Sequence, residues 1–128
     1  MKKQKLRGVT LDQLQGAKPM KNGNVVLKIG EQDIEVEEVL IYGMIVSVIP
    51  DKQLIIDNEG FKCKITNHTA LLRKSSYTPK KDDLITAVVF INKANGKMIE
   101  AFASKIMSTK LTDEQFKYLC KKAATISV

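Results

Sequence analysis

The segment over residues 36–49 is the feature that most restricts the fold of this chain. It is rich in Val and Ile, which favour strands. Its apolar even-numbered side chains share one face: Leu40, Tyr42, Met44, Val46 and Val48. The opposite face carries Val39, Ile41 and Ile45, so the predicted strand is apolar on both sides. Gly43 predicts a bulge or bend, and a long bent strand of this kind turns the corner of a small closed barrel.

Four further segments with strand periodicity follow, with turn residues between them. We predict strands over residues 53–57, 61–66, 84–91 and 98–107, and a short strand over 24–29 before the long one. Asn58-Glu59-Gly60 predicts a tight turn, and Asn95-Gly96 predicts a hairpin. Five strands in a closed barrel of this size predict an all-β protein with an OB-fold barrel and a C-terminal helix.

The C-terminal helix is predicted over residues 112–124. Thr112 suits the N-cap and Gln115 completes a capping box, while Leu111 and Phe116 are spaced for a hydrophobic staple. One apolar stripe recurs at helical spacing and contains Phe116, Leu119, Cys120 and Ala123. We favour packing of this stripe on a helix of a partner protein. The alternative is packing on the chain's own barrel.

Charge patterning suggests three regions. Residues 1–24 are predicted to be a basic tail and loop, 25–108 the barrel, and 109–128 an oligomerisation helix. The tail has six basic residues and one acid, which is typical of a solvated terminus or of an arm attracted to phosphates. Thr10 and Gln13 are spaced to cap one helical turn within it. Five acids between residues 31 and 38 would repel nucleic acid, so a binding face is expected elsewhere.

Composition and sequence pattern exclude several classes of protein. The net charge is +7, which permits a polyanionic partner without requiring one. The longest apolar run, residues 39–50, is shorter than the roughly 20 residues that cross a bilayer, and the basic N-terminus has no apolar signal segment behind it. Cys63 and Cys120 do not form a CxxC pair, so we expect no structural zinc, no cofactor, and two small core residues.

Candidate catalytic groups are poorly placed for chemistry. The adjacent pairs Asp82-Asp83 and Glu37-Glu38 diverge on a strand, so neither is a paired acid and base. Ser75-Ser76 and Cys63 have only His68 as a possible base, and Cys63 is predicted to point into the core, where thiols are inert. Neither GxGxxG nor GxxxxGK[ST] occurs. We therefore predict that the chain is not an enzyme.

The order of short motifs along the chain resembles a known family. The motifs are Thr10-Leu11-x-x-Leu14, Val25-Val26-Leu27-x-Ile29-Gly30, Asp33-Ile34, Ile41-x-Gly43-x-Ile45, Ile56-Asp57-Asn58, Ala101-Phe102 and the helix over 112–124. They resemble the OB domain of the middle subunit of replication protein A, including its telomere relatives in the CST and telomerase-accessory complexes. The resemblance extends from about Val9 to Ala124 and depends on the order of the motifs, since none is specific alone.

The resemblance implies a nuclear subunit that works on chromosomes in replication or at telomeres. Its C-terminal helix would join a three-helix bundle with a large and a small OB-fold subunit, and its barrel would contact single-stranded DNA weakly. We therefore expect a subunit of a heterotrimeric replication protein A-like complex. The alternative is a structural accessory subunit of a telomerase or telomere-capping complex with little direct DNA contact. No membrane partner is expected.

The aromatic residues that grip DNA in this family are missing at their usual places. Family members place one at the end of the third barrel strand and another in the loop between the fourth and fifth, where each base stacks for about 1–3 kcal/mol. Here these positions fall on Asn67 or His68 and on Lys93. The remaining cations favour salt-sensitive phosphate contacts, unless they are simply a solvated barrel face. The predicted contact set is Lys62, Lys64, His68, Arg73, Lys74, Lys93 and Lys97.

Overall fold

The computed structural model describes residues 2–49, 52–66, 77–94 and 98–126. The described residues form eight strands and one helix. The strands are β1 (Lys2–Gly8), β2 (Lys18–Pro19), β3 (Val25–Ile29), β4 (Gln32–Ile49), β5 (Gln53–Asn58), β6 (Phe61–Thr66), β7 (Leu84–Lys93) and β8 (Met98–Ser108), and the helix is α1 (Asp113–Ile126). The predicted strands agree with β3 to β8 to within a few residues at each end, and the Asn95-Gly96 turn lies outside the described residues.

Five strands close into a barrel in the order β4, β5, β6, β8, β7 and back to β4. All neighbours are antiparallel except β6 and β8, which run parallel. Closure removes the exposed edges that an open sheet of this length would leave. This is the OB fold, so the predicted fold class is confirmed.

Strand β4 turns the corner that closes the barrel. Residues 39–44 pair with β7 and residues 44–49 pair with β5, so the strand changes partner near its middle. A register shift between Ile45 and Ser47 marks a bulge just beyond this change. At Gly43 a Cβ atom would lie 2.9 Å from the Asp57 carbonyl oxygen, so only glycine lets the two backbones approach this closely. The predicted bulge therefore lies two residues beyond Gly43, and Gly43 itself marks a close approach of β4 to β5.

The barrel interior is filled by aliphatic side chains from all five strands. Strand β6 shows the predicted alternation, because Cys63 and Ile65 are fully buried while Lys62 on the opposite face is exposed. The turn before β6 is also as predicted: Glu59 and Gly60 both have positive φ, at 54° and 88°, which is the geometry of a type I′ hairpin turn. Cys63 and Cys120 are both free and buried, as expected for small core residues.

The N-terminal segment is more ordered than a basic tail. Residues 2–8 form β1, which pairs in parallel with β4 from Ile34 to Leu40. This register sets Lys3 beside Glu35, with Lys3 Nζ 3.9 Å from Glu35 Oε2. The segment is therefore a paired strand and not the free, solvated terminus that its composition suggested. The turn after β1 has the predicted cap, since the Thr10 amide donates to the Gln13 side chain at 3.0 Å.

Helix α1 begins with the predicted capping box and packs on the barrel. The Thr112 amide donates to Gln115 Oε1 at 2.9 Å, and the Gln115 amide donates to Thr112 Oγ1 at 3.2 Å. Phe116 stacks on Tyr42 with the ring centroids 5.2 Å apart, and Leu111 packs against the same cluster, as the staple predicts. The described helix is not long and apolar enough to cross a membrane.

The turn between β5 and β6 ties the helix to the barrel. Asn58 Nδ2 donates to Asp113 Oδ1 at 2.9 Å and also reaches the Tyr42 carbonyl oxygen. Lys117 forms ion pairs with Glu59 and with Asp113, the latter at 3.1 Å. The Asn58 hydrogen bond and the ion pair with Lys117 hold the pKa of Asp113 below its usual value, against the opposing effect of burial. The first two turns of α1 are therefore fixed to the barrel by polar contacts as well as by Phe116.

Candidate nucleic-acid interface

Three of the seven predicted DNA-contacting residues lie in the described part of the structure. Lys62 and Lys64 point outward from β6, and Lys93 ends β7. His68, Arg73, Lys74 and Lys97 lie outside the described residues. The known part of the predicted basic face is therefore a surface formed by β6, β8 and β7.

Lys64 and Lys93 meet at one carboxylate. Glu100 on β8 is in register with both lysines, and its oxygens lie 3.1 Å from Lys64 Nζ and 3.9 Å from Lys93 Nζ. All three side chains are at least partly exposed, so each ion pair contributes little net stability. A phosphate can compete with Glu100 for these ammonium groups at modest cost. Glu100 holds two cations close together and also weakens their field.

Two exposed phenylalanines lie beside this charged group, and they were missed by the sequence analysis. Phe90 on β7 and Phe102 on β8 are direct cross-strand partners. Their side chains remain 42% and 38% exposed. Thr66 on β6 pairs with Phe102 from the other side. Directly opposed residues have Cβ atoms about 4.5–5.5 Å apart, so the two phenylalanines are neighbours on the outward face of the sheet, and we call them the aromatic pair.

A signal for the aromatic pair exists in the sequence. In β7 the buried apolar residues are Ile85, Ala87, Val89 and Ile91, so Phe90 falls on the outward parity of an apolar strand. Phe102 is likewise out of phase with buried Ile99 and Ala101. Alternation therefore identifies each phenylalanine as outward-facing. It does not reveal that they are neighbours, because this depends on the register and bulges of the β7–β8 pair.

The aromatic pair and the lysines together suit an extended single strand. Aromatic rings stack on the π-face of any base, and lysines neutralise phosphates without reading sequence. One acid of β4, Glu35, has partners within the fold: Lys3 at 3.9 Å and Asn24, whose Nδ2 donates to it at 2.8 Å. This arrangement has the chemistry for binding of modest strength with little sequence preference.

The predicted partner-binding stripe on α1 divides into two sets. Phe116 is 1% exposed and Cys120 is also buried, and both pack on the chain's own barrel. For these two residues the structure shows the own-barrel alternative, because Tyr42 and Gly8 lie directly beneath them. Leu119 is 45% exposed, and nothing is described of the Ala123 side chain. We therefore withdraw Phe116 and Cys120 from the predicted partner surface.

A different apolar surface remains open on α1. Tyr118 is 65% exposed, and with Leu119 and Leu111 it lines a shallow hollow of about 370 Å³. Exposed large apolar side chains that lie together are typical of protein-binding sites. We call this hollow the outer helix face. It adjoins the Phe116 cluster through Leu111, while Tyr118 and Leu119 are exposed to solvent.

Neither cysteine has the properties of a nucleophile. Burial raises the pKa of the Cys63 thiol to about 12. Burial also raises the pKa of Cys120 to about 11, although the charge of Arg7 opposes this shift. Both thiols are therefore protonated at neutral pH. In the described residues no group of three or more His, Cys, Asp and Glu side chains is placed to hold a metal ion.

The sequence matches no protein-family profile and no curated protein. Solved structures do share the fold. A chain of the S. pombe Stn1–Ten1 complex has a TM-score of 0.62 and 10% sequence identity, with 95% of this chain and 94% of that chain covered. The telomere capping protein Ten1, also from S. pombe, has a TM-score of 0.62 and 9% identity, with 94% and 98% covered. The hypothetical protein YgiW from E. coli has a TM-score of 0.53 and 14% identity, with 80% and 96% covered. At these identities the similarity establishes a common OB fold.

Proposed function

We propose that this chain is an OB-fold subunit of a telomere-capping assembly of the Stn1–Ten1 kind, acting in the nucleus at chromosome ends. The observation that carries the proposal is that barrel and C-terminal helix together superimpose on Stn1–Ten1 chains over nearly their whole length. The replication protein A-like heterotrimer predicted from the sequence would use the same architecture. We put the capping assembly first because the similar whole-chain structures include capping proteins.

The outer helix face supports a role in assembly. Its apolar side chains are Tyr118 and Leu119 of α1 and Leu111, which lies just before the helix, and α1 is fixed to the barrel by Asn58 and Lys117. A docking surface on a rigid element loses little conformational entropy on binding. We propose that a helix of a second OB-fold subunit packs here, with Tyr118 as the aromatic anchor that such interfaces favour.

Charge on the outer helix face is expected to abolish assembly. The tagged native chain, purified from its own cells, is expected to bring an OB-fold partner with it. Tyr118→Glu with Leu119→Glu would bury two carboxylates at the proposed contact, so this partner should be lost. Met20→Glu, an exposed apolar site far from the helix in the sequence, should retain that partner. Mass spectrometry of the purified complexes identifies the proteins that each variant retains. Retention of the same partner by the double variant, or recovery of no OB-fold partner by the native chain, would contradict the proposal.

The aromatic pair and its lysines support a second, weaker role in contacting single-stranded DNA. Phe90 and Phe102 present stacking surfaces, while Lys64 and Lys93 lie within reach of the same carboxylate. The OB fold binds oligonucleotides on the face of its second and third barrel strands, which are β5 and β6 here, and β8 with Phe102 lies directly beside β6. This role makes the subunit more than a purely structural accessory.

Binding of an oligothymidylate is expected to weaken as salt rises. For single strands the logarithm of the affinity falls with log salt by about 0.7 for each phosphate neutralised. Lys64→Met with Lys93→Met should therefore reduce the magnitude of the slope by about 1.4, while Lys5→Met with Lys28→Met, two exposed lysines elsewhere, should leave it unchanged. Fluorescence anisotropy over a salt series measures both slopes. Tight binding that is insensitive to salt would exclude the phosphate contacts.

A further inference from the structure

Arg7 is a buried cation with almost no partners. It lies near the end of β1, is 4% exposed, and makes one hydrogen bond, from Nη1 to Gln4 Oε1 at 3.2 Å. Its Nε is buried and has no hydrogen-bond acceptor. No carboxylate of the described residues lies within ion-pair distance of its guanidinium. Burial lowers the pKa of Arg7, as expected for a charge removed from water without a counter-ion.

Arg7 forms part of the wall of a pocket of about 290 Å³ between β1, the turn at Thr10 and α1. Lys117 and Lys121 of the helix also line it, as do the carboxylates of Asp12 and Glu59. Both carboxylates already have partners: Glu59 pairs with Lys117, and Asp12 accepts a hydrogen bond from the Thr10 hydroxyl. Lys117 also pairs with Asp113 at 3.1 Å, so its charge is compensated, whereas the Arg7 guanidinium has no carboxylate of the described residues within ion-pair distance.

We propose that this pocket binds a single carboxylate, supplied by a glutamate or aspartate side chain of a partner protein segment that docks beside α1. The planar guanidinium accepts a carboxylate through paired N–H···O bonds. Ile29 and Cys120 give the pocket apolar walls, against which the methylene groups of an acidic side chain can pack. One carboxylate would supply the counter-ion that the buried Arg7 lacks. This site would exist whether or not the chain caps telomeres, so the two proposals fail separately.

The position of the pocket argues against a DNA phosphate as its occupant. The pocket borders Glu59, in the turn before β6, whereas the aromatic pair adjoins Thr66 at the other end of β6. At about 3.3 Å per residue the two places are roughly 20 Å apart along the strand. The carboxylates of Asp12 and Glu59 would also repel a run of phosphates. A single acidic side chain brings only one charge, so it meets less of this repulsion than a run of phosphates does.

The direct test compares two blocked tripeptides on the full native chain. Acetyl-Ala-Glu-Ala-amide is titrated in parallel with its glutamine counterpart, and with inorganic phosphate and an oligothymidylate, while NMR follows the Arg7 Nε–H and the Gly8 amide. We expect a saturable shift of both signals with the glutamate peptide and at least a fivefold weaker response to the glutamine peptide. No saturable shift, an equal response to both peptides, or a response to phosphate or the oligonucleotide alone would overturn the proposal.

A variant separates a binding arginine from a structural one. Arg7→Met fills the same space without the charge, so it should abolish the response of the Gly8 amide to the glutamate peptide. It should also leave the melting temperature of the ligand-free chain unchanged or raise it, since removing an unpaired buried charge is not costly. Lys5→Met, at an exposed site on the same strand, should leave the response intact. A response that survives Arg7→Met, or a fall in melting temperature of more than about 5 °C, would assign Arg7 to the fold alone.

Discussion

Replacing Phe116 with alanine is expected to lower the free energy of unfolding by about 3–5 kcal/mol. The ring is 1% exposed, and its centroid lies 5.2 Å from that of Tyr42. Truncation removes the stacking contact and leaves a cavity between α1 and β4, which the barrel cannot close because β4 is fixed by pairing on both edges. Urea unfolding of the purified chain, followed by circular dichroism, measures the loss.

Leu119→Ala is the matched control for Phe116→Ala. It lies on the same helix and belongs to the same predicted apolar stripe, but its side chain is 45% exposed. We expect it to cost less than about 1 kcal/mol in the isolated chain. Equal losses at the two positions would mean that α1 does not pack on the barrel as described. A large effect on assembly with a small effect on unfolding would instead place Leu119 in an interface.

Removal of the aromatic pair is expected to have the largest effect on DNA binding. Each base that stacks on an aromatic ring gains about 1–3 kcal/mol. Phe90→Ala and Phe102→Ala should therefore each weaken oligothymidylate binding by about 2 kcal/mol, or roughly 30-fold. The salt dependence should stay close to that of the native chain, because the lysines that contact phosphates are unchanged. Fluorescence anisotropy at fixed salt gives the affinities, and a salt series gives the slope.

Two controls make this result specific to stacking. Met20→Ala and Met44→Ala remove exposed apolar side chains elsewhere on the molecule and should leave the affinity within about twofold. Phe102→Tyr keeps a ring and should retain most of the binding. An unchanged affinity in Phe90→Ala and Phe102→Ala would exclude the aromatic pair from the interface. Any DNA contact would then depend on charge alone.

Local sequence rules predicted the elements whose signals are local. The capping box at Thr112 and Gln115, the turn at Glu59 and Gly60, and the alternation around Cys63 each involve residues a few positions apart. Steric and hydrogen-bonding preferences at that range hold in almost any tertiary context. The closed barrel also followed from the sequence, because the long strand with Gly43 has two apolar faces and few architectures satisfy both.

Pairings between distant segments were beyond the same rules. The composition of residues 2–8 does not predict a strand, since four of the seven residues are basic. The segment becomes β1 only because β4 offers it a free edge and complementary acids such as Glu35. The surface on which the apolar stripe of α1 packs was also decided by residues distant in the sequence. Its spacing predicted an apolar face, but whether Phe116 met a partner or its own barrel depended on Tyr42, 74 positions earlier in the chain.

By itself, the sequence determined where β3 to β8 and the helix lie, how the helix begins, and that the strands close into an OB-fold barrel, because these follow from short-range periodicity and capping. The tertiary structure alone decided which residues meet. Register brought Phe90 beside Phe102 and both Lys64 and Lys93 to Glu100, and the parallel pairing of β1 placed Arg7 beneath α1. Such contacts are fixed by the total free energy of packing the whole chain. Composition and periodicity do not record that quantity.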